Sequence, residues 1–212
     1  MNHPRNPHDD GRSMMLTAAL FSAVVSSLFF TRPGFGHEVQ LKPVERREIS
    51  RSIEAFRLTD QNGQRFEFSK VRGKVAVVGF AYTTCPDVCP LITGAMRQVQ
   101  IDLSQREREN SYFLTVTTDP EIDSPPVLAA YARRYGAELS GWSFLTGDRA
   151  TLEPVWKSFG VGVVRKAKGL VDHTPLIAIV DRQGMLRVVY IGSPADVRSV
   201  LRDMRRLMTE KR

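Results

Sequence analysis

The sequence predicts an α/β domain in which a mixed sheet is flanked by helices. The predicted elements follow the order of two strands, then strand, helix, strand, helix, and then a strand, a helix, two strands and a last helix. The strand at 74–82 is a continuous apolar run, as expected for the covered centre of a sheet, and a second buried strand is predicted at 112–117. Strands that alternate with helices in this way form sheets with helices on their faces.

The first elements are predicted from turn residues and from apolar spacing. Residues 56–59 and 64–68 flank an Asp-Gln-Asn-Gly turn at 60–63, which is typical of a β-hairpin. The apolar run at 74–82 is the predicted central strand. A helix over 91–103 follows, because its apolar residues recur at helical spacing. These residues are Leu91, Ala95, Met96, Val99 and Leu103.

The middle of the domain is predicted from a second apolar strand and a helix start. The strand at 112–117 is followed by Ser124 and Pro125, a capping hydroxyl and a proline at the first helical position. We expect this helix to run to Tyr135. A short strand is expected at 142–146.

The last part of the domain closes the sheet. Asp148 is expected to cap a helix that runs to Phe159. A hairpin is predicted from the strands at 176–180 and 185–190, which flank an Asp-Arg-Gln-Gly turn. Residues 194–210 are predicted to form the terminal helix.

An uncharged apolar segment at 14–30 precedes the domain. Its length lies between that of a signal-peptide core and the roughly 20 residues of a spanning helix. Gly34 and Gly36 are small residues at the positions a signal peptidase reads, so cleavage before His37 and a retained anchor are both open. Residues 1–36 are therefore expected to be a signal peptide or a single-span membrane anchor.

The domain boundary and the compartment are predicted from the leader and the segment that follows it. Residues 37–50 are predicted to be a tether, and 51–212 the folded domain. Either form of the leader exports the domain, to the bacterial inner membrane facing the periplasm or to the periplasm if the leader is cleaved. Without the leader, 27 basic and 21 acidic residues remain, a net charge of +6. No nucleic-acid partner is expected, since the basic residues are not interleaved with aromatic ones.

The chain contains two cysteines, Cys85 and Cys89, and both follow the predicted central strand. A thiol pair at this place is the arrangement of thioredoxin-like folds. Each cysteine precedes a proline, so we expect the helix to start near Pro90, with both thiols on the turn before it. The positive end of the helix favours thiolate over thiol. The pair could close into a disulfide or bind one metal ion.

A third ligand would favour the metal site. His37 lies in the tether, and His3 and His8 lie before the apolar segment, whereas His173 directly precedes the predicted strand at 176–180. In a thioredoxin-like sheet the start of that strand adjoins the thiol loop. Two thiolates and one imidazole suit Cu(I), or Cu(II) with a fourth donor, while structural zinc usually takes four protein ligands. The simpler alternatives are a structural disulfide and an ordinary buried histidine.

Three motifs together resemble the Sco/SenC family of copper-binding assembly proteins. They are FAYTTCPDVCP at 80–90, DPEIDSP at 119–125 and DHT at 172–174, followed by the turn at 181–184. The resemblance spans about 56–190.

This resemblance implies a thioredoxin-like fold in which Cys85, Cys89 and His173 bind copper. It implies delivery of the copper to the dinuclear copper site of cytochrome c oxidase, or reduction of the cysteines of that site. The implied partners are the copper-site subunit of the oxidase, a copper donor protein, a thiol reductant and the membrane. Asp119 is implied, more weakly, to tune the site or a partner contact.

The alternative function is that of a membrane-tethered thiol-disulfide oxidoreductase. Pro175 stands where the copper-binding members commonly have another residue, and thioredoxins place a cis-proline at the start of this strand, facing the dithiol. A cis bond between Thr174 and Pro175 would favour thiol exchange, with Cys85 as the nucleophile and Cys89 as the resolving thiol. Whether the chain is an enzyme stays open between these two functions.

Overall fold

The computed structural model describes residues 44–210, which contain ten strands and five α-helices. The strands are β1 (Glu45–Ser52), β2 (Arg57–Asp60), β3 (Arg65–Glu67), β4 (Val75–Ala81), β5 (Ser111–Thr117), β6 (Trp142–Thr146), β7 (Val163–Arg165), β8 (Val171–His173), β9 (Leu176–Val180) and β10 (Met185–Ile191). The helices are α1 (Val88–Asp102), α2 (Gln105–Glu109), α3 (Pro125–Arg134), α4 (Arg149–Phe159) and α5 (Val197–Thr209).

Eight of the strands form one mixed sheet, in the order β1-β10-β9-β4-β5-β6-β2-β3. The pairs β4–β5 and β5–β6 are parallel, and the remaining neighbours run antiparallel. Strands β7 and β8 form a separate antiparallel hairpin. The predicted mixed sheet with flanking helices is therefore confirmed.

Apolar clusters lie on both faces of the sheet, and alternate residues of β4 belong to each. Val75 and Val77 belong to one apolar cluster, while Ala76, Val78 and Phe80 belong to the other, because successive side chains of a strand point to opposite faces. Helices α1, α3 and α5 contribute to the first cluster, and α4 contributes to the second. Burial on both faces explains why β4 is a continuous apolar run.

Several local predictions are confirmed. The hairpin around residues 60–63 forms as β2 and β3, and β2 joins the main sheet beside β6. Asp148 caps α4, since its carboxylate accepts a hydrogen bond of 2.7 Å from the amide of Thr151. Ser124 is the residue before α3, with proline directly after it, but its side chain makes no capping hydrogen bond.

The folded region differs from the prediction at its start. Residues 45–50, expected to belong to the tether, lie in β1, which pairs with β10 from Glu45 opposite Ile191 to Ser52 opposite Met185. This edge strand is exposed along most of its length, so it carries no apolar alternation that the sequence could show. The short elements α2, β7 and β8 were also not predicted.

The terminal helix begins at Val197 rather than at 194, because Asp196 caps it and accepts a hydrogen bond of 3.1 Å from the amide of Ser199. The predicted leader, at 1–36, and the first residues of the tether lie outside the described residues. Within residues 44–210, none of the helices has the length and apolar character needed to cross a membrane.

Candidate thiol and metal site

The thiol loop joins the central strand to the first helix. Cys85 lies half-buried on this loop, after the end of β4, whereas Cys89 is fully buried. The expectation that both thiols precede the helix is wrong for Cys89, which is the second residue of α1. Pro90 is tolerated in this first turn because the first four amides of a helix have no partner within it.

His173 ends β8 and reaches the buried thiol. Its Nε2 lies 3.3 Å from the Sγ of Cys89, and its Nδ1 lies 3.2 Å from the carbonyl oxygen of Thr174. Because a carbonyl only accepts hydrogen bonds, Nδ1 carries the proton and donates it there. The lone pair of Nε2 therefore faces Cys89. The edge of the Tyr82 ring packs against the imidazole, with ring centroids 6.0 Å apart.

The two thiols differ in their acidity. A hydrogen bond from the thiol of Cys89 and the amides of Cys89 and Asp87 lower the pKa of Cys85 to about 6, against the effect of its burial. The pKa of Cys89 is raised, because its thiol donates to Cys85 and is buried. Burial also lowers the pKa of His173. The reduced site thus combines a thiolate, a thiol and a neutral imidazole at neutral pH.

A cleft of about 690 Å³ opens onto this site and is lined by Cys85 and His173, while Cys89 lies buried behind it. Its walls come from the thiol loop, from the β7–β8 hairpin and from the ends of β1 and β10. The residues that line it include Tyr82, Cys85, Val164, His173, Pro175 and Ile191.

Two carboxylates lie behind the site, of which Asp119 was expected from the family resemblance and Asp123 was not recognised from the sequence. Asp123 accepts hydrogen bonds of 2.5 Å from the hydroxyls of both Thr83 and Thr117. Asp119, implied to tune the site, is buried and pairs with Arg165 on β7. Both aspartates follow the end of β5, the strand beside β4. This position next to the thiol loop is the signal in the sequence that could have identified Asp123.

The structure thus brings Cys85, Cys89 and His173 to one place, while His37 lies outside the described residues. Among residues 44–210, no three cysteine, histidine or acidic side chains are arranged to hold a metal ion in this conformation, and both cysteines are free thiols. The cis peptide bond of this region is Ser193–Pro194. The Thr174–Pro175 bond is therefore trans, and the condition that would have favoured thiol exchange is not met.

Known proteins match this chain in both sequence and fold. A family model described as SCO1/SenC matches residues 44–209. A SCO1/SenC family lipoprotein from Bacillus anthracis has 30% identity and a TM-score of 0.68, over 76% of this chain and 97% of that one. BsSco, in which a disulfide switch was identified, is described as a member of the Sco family of cytochrome c oxidase assembly proteins. It has 26% identity and a TM-score of 0.67, over 81% of this chain and 99% of that one. The structure of ScoI from Bradyrhizobium japonicum with copper bound has 27% identity and a TM-score of 0.57, over 73% of this chain and 98% of that one.

Proposed function

The chain belongs to the SCO1/SenC family, and we propose that it is a copper chaperone that carries one copper ion on Cys85, Cys89 and His173. The family resemblance inferred from the motifs is confirmed. The observation that carries the copper proposal is the contact between the Sγ of Cys89 and the Nε2 of His173. It joins a sulfur and an imidazole lone pair that lie 84 residues apart in the sequence.

The donor atoms fit a soft metal ion. In zinc sites sulfur and imidazole nitrogen lie about 2.3 and 2.0 Å from the metal, so at a tetrahedral angle they are about 3.5 Å apart. The observed separation of 3.3 Å is close to this value. The hydrogen bond from Nδ1 to the carbonyl of Thr174 is the outer contact that commonly orients a ligating histidine.

The protonation states of the two thiols mean that binding of the ion releases one proton. Cys85 is already a thiolate at neutral pH, while Cys89 holds a proton that binding must release. Thiolates and imidazole together favour copper over hard cations, and the site can accept Cu(I) or Cu(II). Because Cys85 lies on a loop at the cleft, we propose that its side chain turns inward to complete the set.

We further propose that the recipient is the dinuclear copper site of cytochrome c oxidase. BsSco supports this, since it is described as a member of a family of assembly proteins for that oxidase. The chaperone would then act at the outer face of a bacterial inner membrane, tethered by its N-terminal segment or released into the periplasm. A copper donor protein and a thiol reductant would load and reduce it.

Anaerobic titration of the reduced full chain with Cu(I), against a chromophoric chelator, tests the site. The wild type and a His37→Ala control are expected to bind one ion per chain. His173→Ala is expected to bind at least about 10-fold more weakly, because even outer-shell changes cost about 10- to 100-fold in metal affinity. Equal affinity in His173→Ala would remove His173 from the site, and absence of binding by the wild type would overturn the function.

The unequal thiols favour one second candidate, a thiol-disulfide oxidoreductase. An accessible thiolate at Cys85 beside a buried, protonated Cys89 is the arrangement of an attacking and a resolving thiol. In that case Cys89→Ser should accumulate a mixed disulfide between Cys85 and a partner thiol, and His173→Ala should keep exchange activity. Failure of Cys89→Ser to trap any disulfide-linked peptide of the oxidase copper site would count against this role.

A further inference from the structure

The hairpin that carries His173 lies outside the main sheet. Strands β7 and β8 pair only with each other in the described chain, with Val163 opposite His173 and Arg165 opposite Val171. An isolated two-stranded hairpin is marginally stable in water. The position of His173 therefore depends on what holds this hairpin against the rest of the domain.

One ion pair ties the hairpin to the main sheet. The guanidinium of Arg165 donates to a carboxylate oxygen of Asp119 and, at 3.1 Å, pairs with Glu121. The Asp119 side chain is 0% exposed and that of Arg165 is 31% exposed. The second carboxylate oxygen of Asp119 has no hydrogen-bond partner among the described residues. The charge of Asp119 is thus compensated by a cation that comes from the hairpin.

The other end of this ion pair is firmly placed. The amide of Asp119 donates to the hydroxyl of Thr117 at 2.9 Å, and the amide of Thr118 donates to the carbonyl of Ala81 at 3.0 Å. The second bond extends the β4–β5 pairing beyond the strand ends, and the first fixes the start of the following turn. Asp119 is therefore a fixed point on the central sheet, to which Arg165 attaches the hairpin, in addition to the apolar packing of Val171 against Ala81 and Tyr82.

The same turn also holds the thiol loop. Asp123 accepts hydrogen bonds from the amide of Thr83 at 3.2 Å and from its hydroxyl at 2.5 Å. Thr83 lies two residues before Cys85. Residues 119–123, which we call the clamp turn, thus contact the loop that carries the cysteines and the hairpin that carries the histidine.

We propose that the clamp turn sets the spacing between the thiols and His173, and that Arg165 is the positioning residue on the histidine side. Arg165 acts through the hairpin, as its guanidinium binds the clamp turn. Its effect on copper rests on the proposed function, whereas its effect on the hairpin is measurable in the metal-free protein.

The test compares Arg165→Met with Lys166→Met in the full chain. Lys166 is the next residue on the hairpin and pairs loosely, at 3.8 Å, with exposed Asp172, so it is a matched control. Hydrogen exchange of residues 163–173 in the reduced, metal-free protein reports the hairpin. We expect faster exchange in Arg165→Met than in the wild type, with Lys166→Met unchanged.

Copper affinity and a double variant separate positioning from stability. Arg165→Met alone leaves the buried charge of Asp119 uncompensated, so it should lower the unfolding temperature. Asp119→Asn with Arg165→Met removes both charges and should recover much of that temperature. Both variants should still bind Cu(I) more weakly, by about 10-fold, the lower end of the range for partners that contact a ligand directly. Arg165→Lys, which keeps the cation, should restore part of the affinity.

The outcomes are distinct. Wild-type exchange in Arg165→Met, or a double variant that regains wild-type affinity together with its stability, would overturn the clamp. A wild type that binds no copper would overturn the proposed function, while the exchange measurement would still decide the clamp.

Discussion

Replacing Cys89 with alanine should raise the pKa of Cys85. The largest cause of the lowered pKa of Cys85, about 6, is the hydrogen bond that the thiol of Cys89 donates to it. Hydrogen bonds to charged groups contribute about 1.5–3 kcal/mol, and one pKa unit corresponds to about 1.4 kcal/mol. A thiol is a weak donor and Cys85 is half-exposed, so we expect the lower end of this range, a rise of about one unit to about 7. The amides of Cys89 and Asp87 remain and keep the pKa below the ordinary value of about 8.5.

The assay is the pH dependence of alkylation of Cys85 by iodoacetamide in the reduced, metal-free full chain. Because the pKa is lowered, the thiolate is present above about pH 6 and is lost as the pH falls through that value. At pH 6 the thiolate fraction should fall from about one half to about one tenth in Cys89→Ala. A more basic thiolate is also about threefold more nucleophilic, so the rate at one pH changes by only about twofold. The midpoint of the profile is therefore the quantity to compare.

The variant Cys85→Ala measures the reactivity of the other thiol. Cys85→Ala leaves Cys89 alone, and this thiol should stay unreactive over the same pH range because it is buried. A wild-type midpoint at the ordinary thiol value, or the same midpoint in the wild type and Cys89→Ala, would refute the reasoning that the helix start and the paired thiol together create the thiolate.

The remaining predictions concern stability. Gly79→Ala should cost about 1–3 kcal/mol in guanidinium unfolding, because its Cβ would overlap the sulfur of Met96 in the packed core. Adding Met96→Ala should relieve this overlap, and strictly additive costs in the double variant would contradict that explanation. Asp148→Ala should cost about 1 kcal/mol by removing the cap of α4, or about 2–4 °C in the unfolding temperature, measured by circular dichroism. An unchanged temperature would show that this helix start does not depend on its cap.

Much of the fold could be predicted from local sequence signals. The bounds of β6 and β9 were predicted to the residue, and α4 begins directly after its predicted cap. Buried strands leave such a signal because coverage on both faces requires an apolar run, and capped helices because the cap residue directly precedes the helix in the chain. Strand β1 could not be predicted from an apolar pattern, since an exposed edge strand needs no apolar face.

The candidate site was predicted in part. The thiol pair and His173 were identified by their residue types and by their places beside predicted strands, and the structure brings them together. The expected position of Cys89 outside the helix was wrong, because the bias of a residue that precedes a proline is only a preference and Pro90 in the first turn costs the helix no hydrogen bond. The proposed contribution of Arg165 could not be found, since an arginine on a short strand outside the main sheet resembles an ordinary surface residue until its partner is known.

The sequence by itself determined the class of fold, the thiol loop after the central strand and the family to which the chain belongs. Those features depend on residue order and on local spacing. Only the tertiary structure decided that Cys89 and His173 touch, that Cys85 is the acidic thiol, and that Arg165 meets Asp119 from 46 residues away. These properties arise from burial and from hydrogen bonds between segments distant in sequence, which exist only once the sheet has brought those segments together.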